Sequence, residues 1–163
     1  MSFVGIISDS DNFEFIEKEI KNKEEYKKLK LINLNKENID NMKNIKFETL
    51  IIDKDMKELN EVKDIIYNIV KNAKYLIINS DLYTLEEKIN NSLQIITYGM
   101  GQKATVTASS IKDNEIMICL QRNLENINGN IIEMQESKVK ACNVENDRIY
   151  DLLVVFILKN LYS

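Results

Sequence analysis

Short apolar segments that alternate with helical patterns are the feature that most constrains the fold of this chain. Five of these segments are predicted strands, at residues 3–8, 28–35, 48–56, 74–81 and 93–99. Between them, Phe13, Ile16 and Ile20 have helical spacing, and so do the apolar residues within 59–73. Strands that are apolar along most of their length indicate a parallel sheet covered on both faces. We therefore predict a three-layer, Rossmann-like α/β domain with a mainly parallel sheet.

Two polar pairs predict where helices begin. Asp11 followed by Glu14 fits a capping box, in which the two side chains accept hydrogen bonds from the first backbone N–H groups of a helix. Thr84 followed by Glu87 fits a second one, before a short helix.

The pattern changes after residue 101. Residues 104–111 alternate, 115–121 form another strand, and Asn128-Gly129 predicts a type I′ hairpin turn before a strand at 131–135. These segments predict a small antiparallel meander. We expect one domain over residues 1–163, made of a parallel part at 1–101, the meander at 102–140 and a closing helix at 147–161.

The closing helix carries apolar residues over most of its circumference. One contact face needs only about a 100° stripe, so part of this helix must meet a second surface. It is predicted either to lie between the sheet and the helix at 59–73 or to supply the contact of a homodimer.

Composition excludes several chemistries. The chain has no histidine, so it offers no Ser-His-Asp or Cys-His catalysis and no histidine-ligated zinc. Gly5 is the only glycine before Gly99, so no GxxxxGK[ST] phosphate-binding loop is present. The formal net charge of −4 provides no general attraction to nucleic acid or to an anionic membrane. We expect neither as a partner, and the N-terminal residues, without a signal-like segment, predict a cytoplasmic location.

Polar residues follow most of the predicted parallel strands. In open parallel sheets, ligands bind beyond the carboxyl ends of the strands. This rule selects Asp9 and Asp11, then Asp53 and Asp55, then Asn79 to Asp81, and finally Gly99 to Lys103.

The segment ITYGMGQKATVTASSI, at residues 96–111, concentrates two of the four glycines at one bend. The simpler interpretation is a sharp turn in which glycine supplies positive φ. The functional interpretation is that Gly99 and Gly101 bring backbone N–H groups close to an anion, with Lys103 as the counter-charge. The ligand-binding residues predicted on this basis are Asn79, Ser80, Asp81, Tyr98, Gly99, Gly101 and Lys103.

Residues 73–122 resemble the closing half of the central domain of Mur ligases and folylpolyglutamate synthases. The resemblance lies in Asn79-Ser80-Asp81, in Thr97-Tyr98-Gly99 and in the strand at 104–111. It implies a domain that binds ATP and activates a carboxylate as an acyl phosphate, so a nucleotide or another anion is the expected ligand class. This chain lacks the phosphate-binding loop of that family. We therefore expect a non-catalytic binding or interaction protein, whose partner is a protein or a small ligand.

Residues 3–56 also resemble the receiver domains of response regulators. That resemblance implies Mg²⁺ held by Asp9 and Asp11 and a phosphate accepted by Asp53, with Ser80 and Lys103 near the switch hydroxyl and lysine positions. Helix capping by Asp11 and solvation of Asp53 and Asp55 are the simpler alternative. A degenerate receiver is thus the second functional hypothesis, and a nucleotide-dependent enzyme without a phosphate-binding loop is the third.

Overall fold

The computed structural model describes residues 1–83, 92–112, 114–140 and 148–163. The predicted helix that begins near Thr84 lies outside the described residues. So does Asp147, with which the closing helix was predicted to begin.

All five predicted parallel strands are present. They are β1 (Ser2–Ile7), β2 (Leu29–Asn33), β3 (Thr49–Ile52), β4 (Tyr75–Asn79) and β5 (Gln94–Tyr98). They pair in parallel in the order β2-β1-β3-β4-β5. This is a doubly wound order whose switch point lies between β1 and β3. The predicted α/β class is confirmed.

Helices cover both faces of this parallel region. On one face, α1 (Ser10–Lys21) and α4 (Ile149–Leu161) pack against the sheet. On the other face, α2 (Ile39–Met42) and α3 (Lys63–Lys71) pack against apolar side chains of β3 and β4. Two hydrophobic cores therefore share one sheet, which explains why the strands are apolar on both sides.

The predicted capping box is wrong. Helix α1 begins at Ser10, and Asp9 is its N-cap residue, without a side-chain capping hydrogen bond. Asp11 lies in the first turn, where a negative charge is favoured by the helix dipole. The spacing of Asp11 and Glu14 therefore indicated a helix correctly but placed its beginning too late in the chain.

Three strands extend the sheet beyond β5: the first pairs with β5 in parallel, and the three are antiparallel to their neighbours within the extension. They are β6 (Val106–Lys112), β7 (Glu115–Leu120) and β10 (Gln135–Lys140), with β7 in the middle. Between β7 and β10, the strands β8 (Leu124–Glu125) and β9 (Ile131–Ile132) form a separate hairpin. The predicted strand at 131–135 therefore misplaced the third meander strand. The sequence of β10, QESKVK, has only one apolar residue to reveal it.

The hairpin turn also differs from the predicted type I′ turn. The turn hydrogen bond joins the Gly129 N–H to the Asn126 carbonyl, so Ile127 and Asn128 are its central residues. Gly129 follows them with φ of 80°. That pattern is typical of a three-residue loop that ends in a left-handed glycine.

Helix α4 is enclosed by contacts within the chain. It lies against α1, β5 and β6 on the face opposite α3, so the predicted position between the sheet and the helix at 59–73 is wrong. The β8–β9 hairpin contacts its far end, where the Ile127 N–H donates to the Leu161 carbonyl at 3.0 Å. The apolar residues of α4 that do not face the sheet are therefore covered by other segments of the same subunit. Self-association stays a prediction, without the support that an uncovered helix face would give.

No helix in the described ranges is both long enough and apolar enough to cross a membrane.

Candidate functional site

The ends of β1, β3, β4 and β5 meet at one edge of the sheet. The Asp53 N–H donates to the Ile7 carbonyl at 2.9 Å, which joins the end of β3 to the end of β1. Asn79 ends β4 and Tyr98 ends β5, and these two residues are paired across the strands. This carboxyl edge is where the topology places a ligand site.

Asn79 connects two of the acids at this edge. Its side-chain amide donates to Asp53 Oδ1 at 3.1 Å, and its side-chain oxygen accepts from the Asp81 N–H at 3.0 Å. The second contact is an Asx turn, which an asparagine at a strand end forms readily. Because Asn79 is buried, its two contacts fix the loop after β4 relative to β3.

Asp81 holds three segments together. One of its carboxylate oxygens, Oδ2, accepts from the Met100 N–H at 2.8 Å and from the Tyr150 hydroxyl at 2.8 Å. The preceding residue, Ser80, donates both its N–H and its hydroxyl to the Tyr98 carbonyl. The loops after β4 and β5 are thereby tied to each other and to the first turn of α4.

Gly99 is required because Ser80 and Asp81 lie too close to leave room for a side chain, and not because its backbone has an unusual φ. Gly129 is the one glycine of the chain with positive φ, so the positive φ predicted at the 99–101 bend is wrong. A Cβ atom on Gly99 would lie 2.7 Å from Ser80 Oγ and 2.8 Å from Asp81 Oδ1. A Cβ on Gly101 would have no neighbour closer than 4.0 Å. The two glycines that looked equivalent in the sequence therefore have different roles.

We expect Gly99→Ala to lower the free energy of unfolding by about 1–3 kcal/mol, because the added methyl group must displace Ser80 and Asp81. Gly101→Ala is the matched control, and it should change stability by less than about 0.5 kcal/mol. Urea denaturation of both variants measures the difference. Equal effects in the two variants would show that the contact at Gly99 does not constrain the edge.

Two backbone N–H groups at the bend of the predicted anion site have partners within the protein. The Met100 N–H is bonded to Asp81, and the Gly99 N–H donates to the Val106 carbonyl at 3.2 Å. Lys103 is exposed on the same loop. A bound anion would have to compete with the Asp81 carboxylate for the Met100 N–H. Of the predicted ligand-binding residues, Asn79, Ser80, Asp81, Tyr98 and Gly99 are brought together, whereas Gly101 and Lys103 lie on the exposed part of the loop.

Asp151 is the member of this edge that sequence reasoning missed. Its side chain is 0% exposed, although it belongs to the N-terminal turn of the mainly apolar helix α4. It accepts from Asn12 Nδ2 at 3.0 Å and pairs with Arg148 at 3.1 Å. Burial is the main reason that the pKa of Asp151 is raised to about 6; the two bonds oppose the rise, and the negative charge of Asp53 contributes to it. The sequence did contain a signal for this residue: Asp151 is the one acid within the mainly apolar sequence of α4.

Tyr98 lies between the acids. It is 0% exposed, and its hydroxyl interacts with Asp53 without forming a hydrogen bond of ordinary length and angle. Burial, followed by the charge of Asp53, raises the pKa of Tyr98 well above 10, so the hydroxyl is neutral and carries its proton. Its ring meets that of Tyr150 edge to face, with ring centroids 6.5 Å apart.

The three acids of the receiver hypothesis do not form a metal site. Asp9 pairs with Lys54 at 2.8 Å, Asp53 accepts a hydrogen bond from Asn79, and Asp11 lies in the first turn of α1. Within the described ranges, no group of three or more His, Cys, Asp or Glu residues could hold a metal ion. The predicted Mg²⁺ set of Asp9, Asp11 and Asp53 is therefore not assembled. Burial raises the pKa of Asp53 and the charge of Asp9 also raises it, whereas the nearby Tyr98 hydroxyl and the hydrogen bond from Asn79 lower it.

Comparison with known proteins identifies the fold. No protein-family model and no curated protein matches the sequence. Among solved structures, the chain is similar to the MurF ligase of Thermotoga maritima in complex with ADP, with a TM-score of 0.59 and 9% sequence identity. The match covers 98% of this chain and 45% of that ligase chain, so this chain spans less than half of the ligase.

The chain therefore has a Mur-ligase-like α/β fold. At this level of identity the similarity shows the fold alone. The comparisons do not support the resemblance to receiver domains.

Proposed function

We propose that this chain is a non-catalytic protein of the Mur-ligase-like fold, which acts by binding a partner protein at the carboxyl edge of its sheet. The observation that carries the proposal is that the first turn of α4 lies over the strand ends. Tyr150 is bonded to Asp81, and Asp151 is bonded to Asn12. The side chains joined by these bonds lie in the crevice at this edge, where such a fold would receive a small ligand.

The electrostatics of the crevice also oppose a nucleotide. Phosphates in this kind of fold are bound at the N-terminus of the helix after β1, where free N–H groups and the helix dipole favour negative charge. In this chain that turn carries Asp9 and Asp11, and the crevice beside it contains Asp53 and Asp151. Two of these carboxylates are paired with cations, Asp9 with Lys54 and Asp151 with Arg148, and the negative charge that remains would oppose the binding of a triphosphate.

An exposed surface remains above the crevice. We call it the rim and define it as the exposed residues at the start of the loops after β4 and β5: Asp81, Leu82, Met100, Gly101, Gln102 and Lys103. Leu82 is 48% exposed and Met100 is 40% exposed. Flexible apolar side chains beside charged ones are typical of protein contact surfaces. This composition favours a protein partner over a small anionic ligand.

The test compares apolar-to-polar changes on the rim with a matched change elsewhere. Wild type, Leu82→Ser, Met100→Ser and the control Ile131→Ser, which alters an exposed residue of β9, would be used as baits in lysate of the cells that make the protein. We expect a protein that cross-links to wild type and to the control but not to the two rim variants. Identical captures by all four baits would contradict the assignment of the rim.

We also expect Mg·ADP and Mg·ATP to leave the melting temperature unchanged and the purified chain to show no ATP hydrolysis. A ligand present at about 100 times its Kd stabilises a protein by about 2.7 kcal/mol, so the measurement is sensitive to weak binding. A saturable shift, or turnover that survives purification and is lost in Lys103→Ala, would support the nucleotide-dependent enzyme instead.

The receiver hypothesis is less well supported by the geometry. Its phosphate acceptor, Asp53, is bonded to Asn79, and the charge next to it comes from Asp9, which is itself paired with Lys54. Ser80, at the predicted switch position, donates its hydroxyl to the backbone of Tyr98. These contacts use the groups that phosphoryl transfer would require.

A further inference from the structure

The loop between β8 and β9 carries Asn128-Gly129, and no other asparagine of the chain precedes a glycine. An asparagine in this position can cyclise, because glycine has no Cβ to keep its backbone nitrogen away from the side-chain amide before it. Both residues are exposed, so water and base reach them. Access therefore does not limit the chemistry of this dipeptide, and the hydrogen bonds around it decide whether it reacts.

The reaction needs only base and water. The Gly129 nitrogen gives its proton to a base and attacks Cγ of Asn128. The new C–N bond forms as the Cγ–Nδ2 bond breaks, and the side-chain nitrogen leaves as ammonia. Water then adds to either carbonyl of the imide ring and opens it, which leaves aspartate or isoaspartate at position 128. The net change converts a hydrogen-bond donor into a carboxylate.

Hydrogen bonds hold both reacting groups in other contacts. The Gly129 N–H donates to the Asn126 carbonyl at 3.0 Å. Asn128 donates its N–H to Asn126 Oδ1 at 3.0 Å and its Nδ2 to the main-chain oxygen of Ser163 at 3.1 Å. Ring closure removes the Gly129 proton and turns the Asn128 side chain back onto the main chain. The bonds from Gly129 and from Asn128 Nδ2 must therefore break before the ring can form.

The same loop is joined to the end of α4. Asn126 is 3% exposed, and its Nδ2 also donates to the Ser163 oxygen, at 3.4 Å. The Ile127 N–H donates to the Leu161 carbonyl at 3.0 Å. We call the contacts of residues 126–128 with Leu161 and Ser163 the junction. The Asn128 amide belongs to the junction, so it is free to react only when that contact opens.

We propose that Asn128 is a deamidation site whose reaction is held back by the junction, and that deamidation of an opened junction prevents it from closing again. An imide nitrogen carries no hydrogen, so the bond from Gly129 to Asn126 cannot persist in the intermediate. The rate in the native protein is the rate of the free loop multiplied by the fraction of molecules whose junction is open.

The product lacks the contact that Asn128 makes in the closed junction. A carboxylate at this position has no proton to donate to Ser163, and acceptor oxygens that face each other repel. The bond from Asn126 to Ser163 that remains is the longer of the two. The modified loop therefore stays apart from the end of α4. This inference does not involve the rim and does not depend on the proposed function.

Mass spectrometry of the tryptic peptide between Arg122 and Lys138 measures the reaction, in water enriched in heavy oxygen that labels every new carboxylate. The purified full chain would be incubated in mildly alkaline buffer with and without urea. We expect Asn128 to react about tenfold or more slowly in the native protein than in the unfolded one. The other asparagines of the peptide, none followed by glycine, are internal controls. Equal rates with and without urea would overturn the proposal.

Asn126→Ala removes the side chain that accepts from Asn128 and donates to Ser163, and it should speed native deamidation at least severalfold. Asn123→Ala is the matched control, since its side chain accepts from the Met134 N–H in the same region and makes no junction contact. An unchanged rate in Asn126→Ala would contradict the role of the junction. If this variant does not fold, the comparison of native and unfolded wild type decides.

Asn128→Asp reproduces one product of the reaction. Protection of the Ile127 amide against hydrogen exchange should fall about fivefold or more in this variant, because that amide is bonded to Leu161 within the junction. Asn130→Asp adds the same charge to the loop without a side-chain bond to Ser163, and it should leave Ile127 protected. Equal protection of Ile127 in wild type and Asn128→Asp would show that the junction closes again and would overturn the proposal.

Discussion

Replacing Leu158 by alanine is expected to lower the free energy of unfolding by about 2–5 kcal/mol, since the change removes a fully buried side chain and leaves a cavity. Leu158 is 0% exposed within a single subunit, in the half of α4 that packs against both the sheet and the β8–β9 hairpin region. Chemical denaturation followed by circular dichroism measures the loss. A decrease of less than about 1 kcal/mol would mean that α4 is not packed as described.

The matched control for this prediction is Leu82→Ala, which shortens a half-exposed leucine and should change stability by less than about 0.5 kcal/mol. Protein concentration provides a second control. Because Leu158 is buried inside one chain, the melting temperature of the wild type should not depend on concentration. A melting temperature that rises with concentration would show that a second subunit contributes to the stability, as the dimer hypothesis requires.

The stability of the wild type is expected to decrease as the pH rises from about 4 to about 7, which is opposite to the usual behaviour of a paired carboxylate. The pKa of Asp151 in the folded protein is raised to about 6, above the value near 3.9 of an unfolded chain. A raised pKa means that the contribution of this group is fully present below the unfolded pKa and is lost as the pH rises through the folded one. With allowance for screening by solvent, the loss is about 2 kcal/mol.

Asp151→Asn keeps the shape of the side chain and removes its ionisation, so most of this pH dependence should disappear. Asp64→Asn makes the same change at an exposed position of α3 and is the control, with a profile expected to match the wild type. Urea unfolding at a series of pH values gives both profiles. A wild-type stability that rises over this interval, or a slope unchanged in Asp151→Asn, would contradict the assignment of the buried acid.

The sequence by itself determined the class of fold. The apolar runs at β1, β3 and β4 had to be covered on both faces, and only a parallel sheet between two helical layers buries them all. The same reasoning placed polar residues such as Asn79 and Asp81 at the carboxyl edge, because chain direction fixes which end of every parallel strand they follow.

Strand β10 and the hairpin turn escaped sequence reasoning for local reasons. The residues of β10 are nearly all polar, so the strand shows no alternation of apolar and polar residues. It can be polar because it is an edge strand that pairs only with β7. The Asn128-Gly129 pair is compatible with more than one loop length, and the bond from Gly129 to Asn126 decides between them.

Only the tertiary structure decided what the edge contains. Tyr150 lies 69 residues from its partner Asp81 in the chain, and Asp151 lies 139 residues from its partner Asn12. No local pattern encodes contacts between such distant residues. Gly99 looked like a turn residue, yet its role depends on how closely Ser80 and Asp81 approach from the neighbouring strand end. Local sequence controls backbone preferences and the faces of helices and strands. Contacts between distant segments depend on how those faces are packed, and this packing brings the Asp81 carboxylate to the Met100 N–H, at the bend where the sequence predicts an anion site.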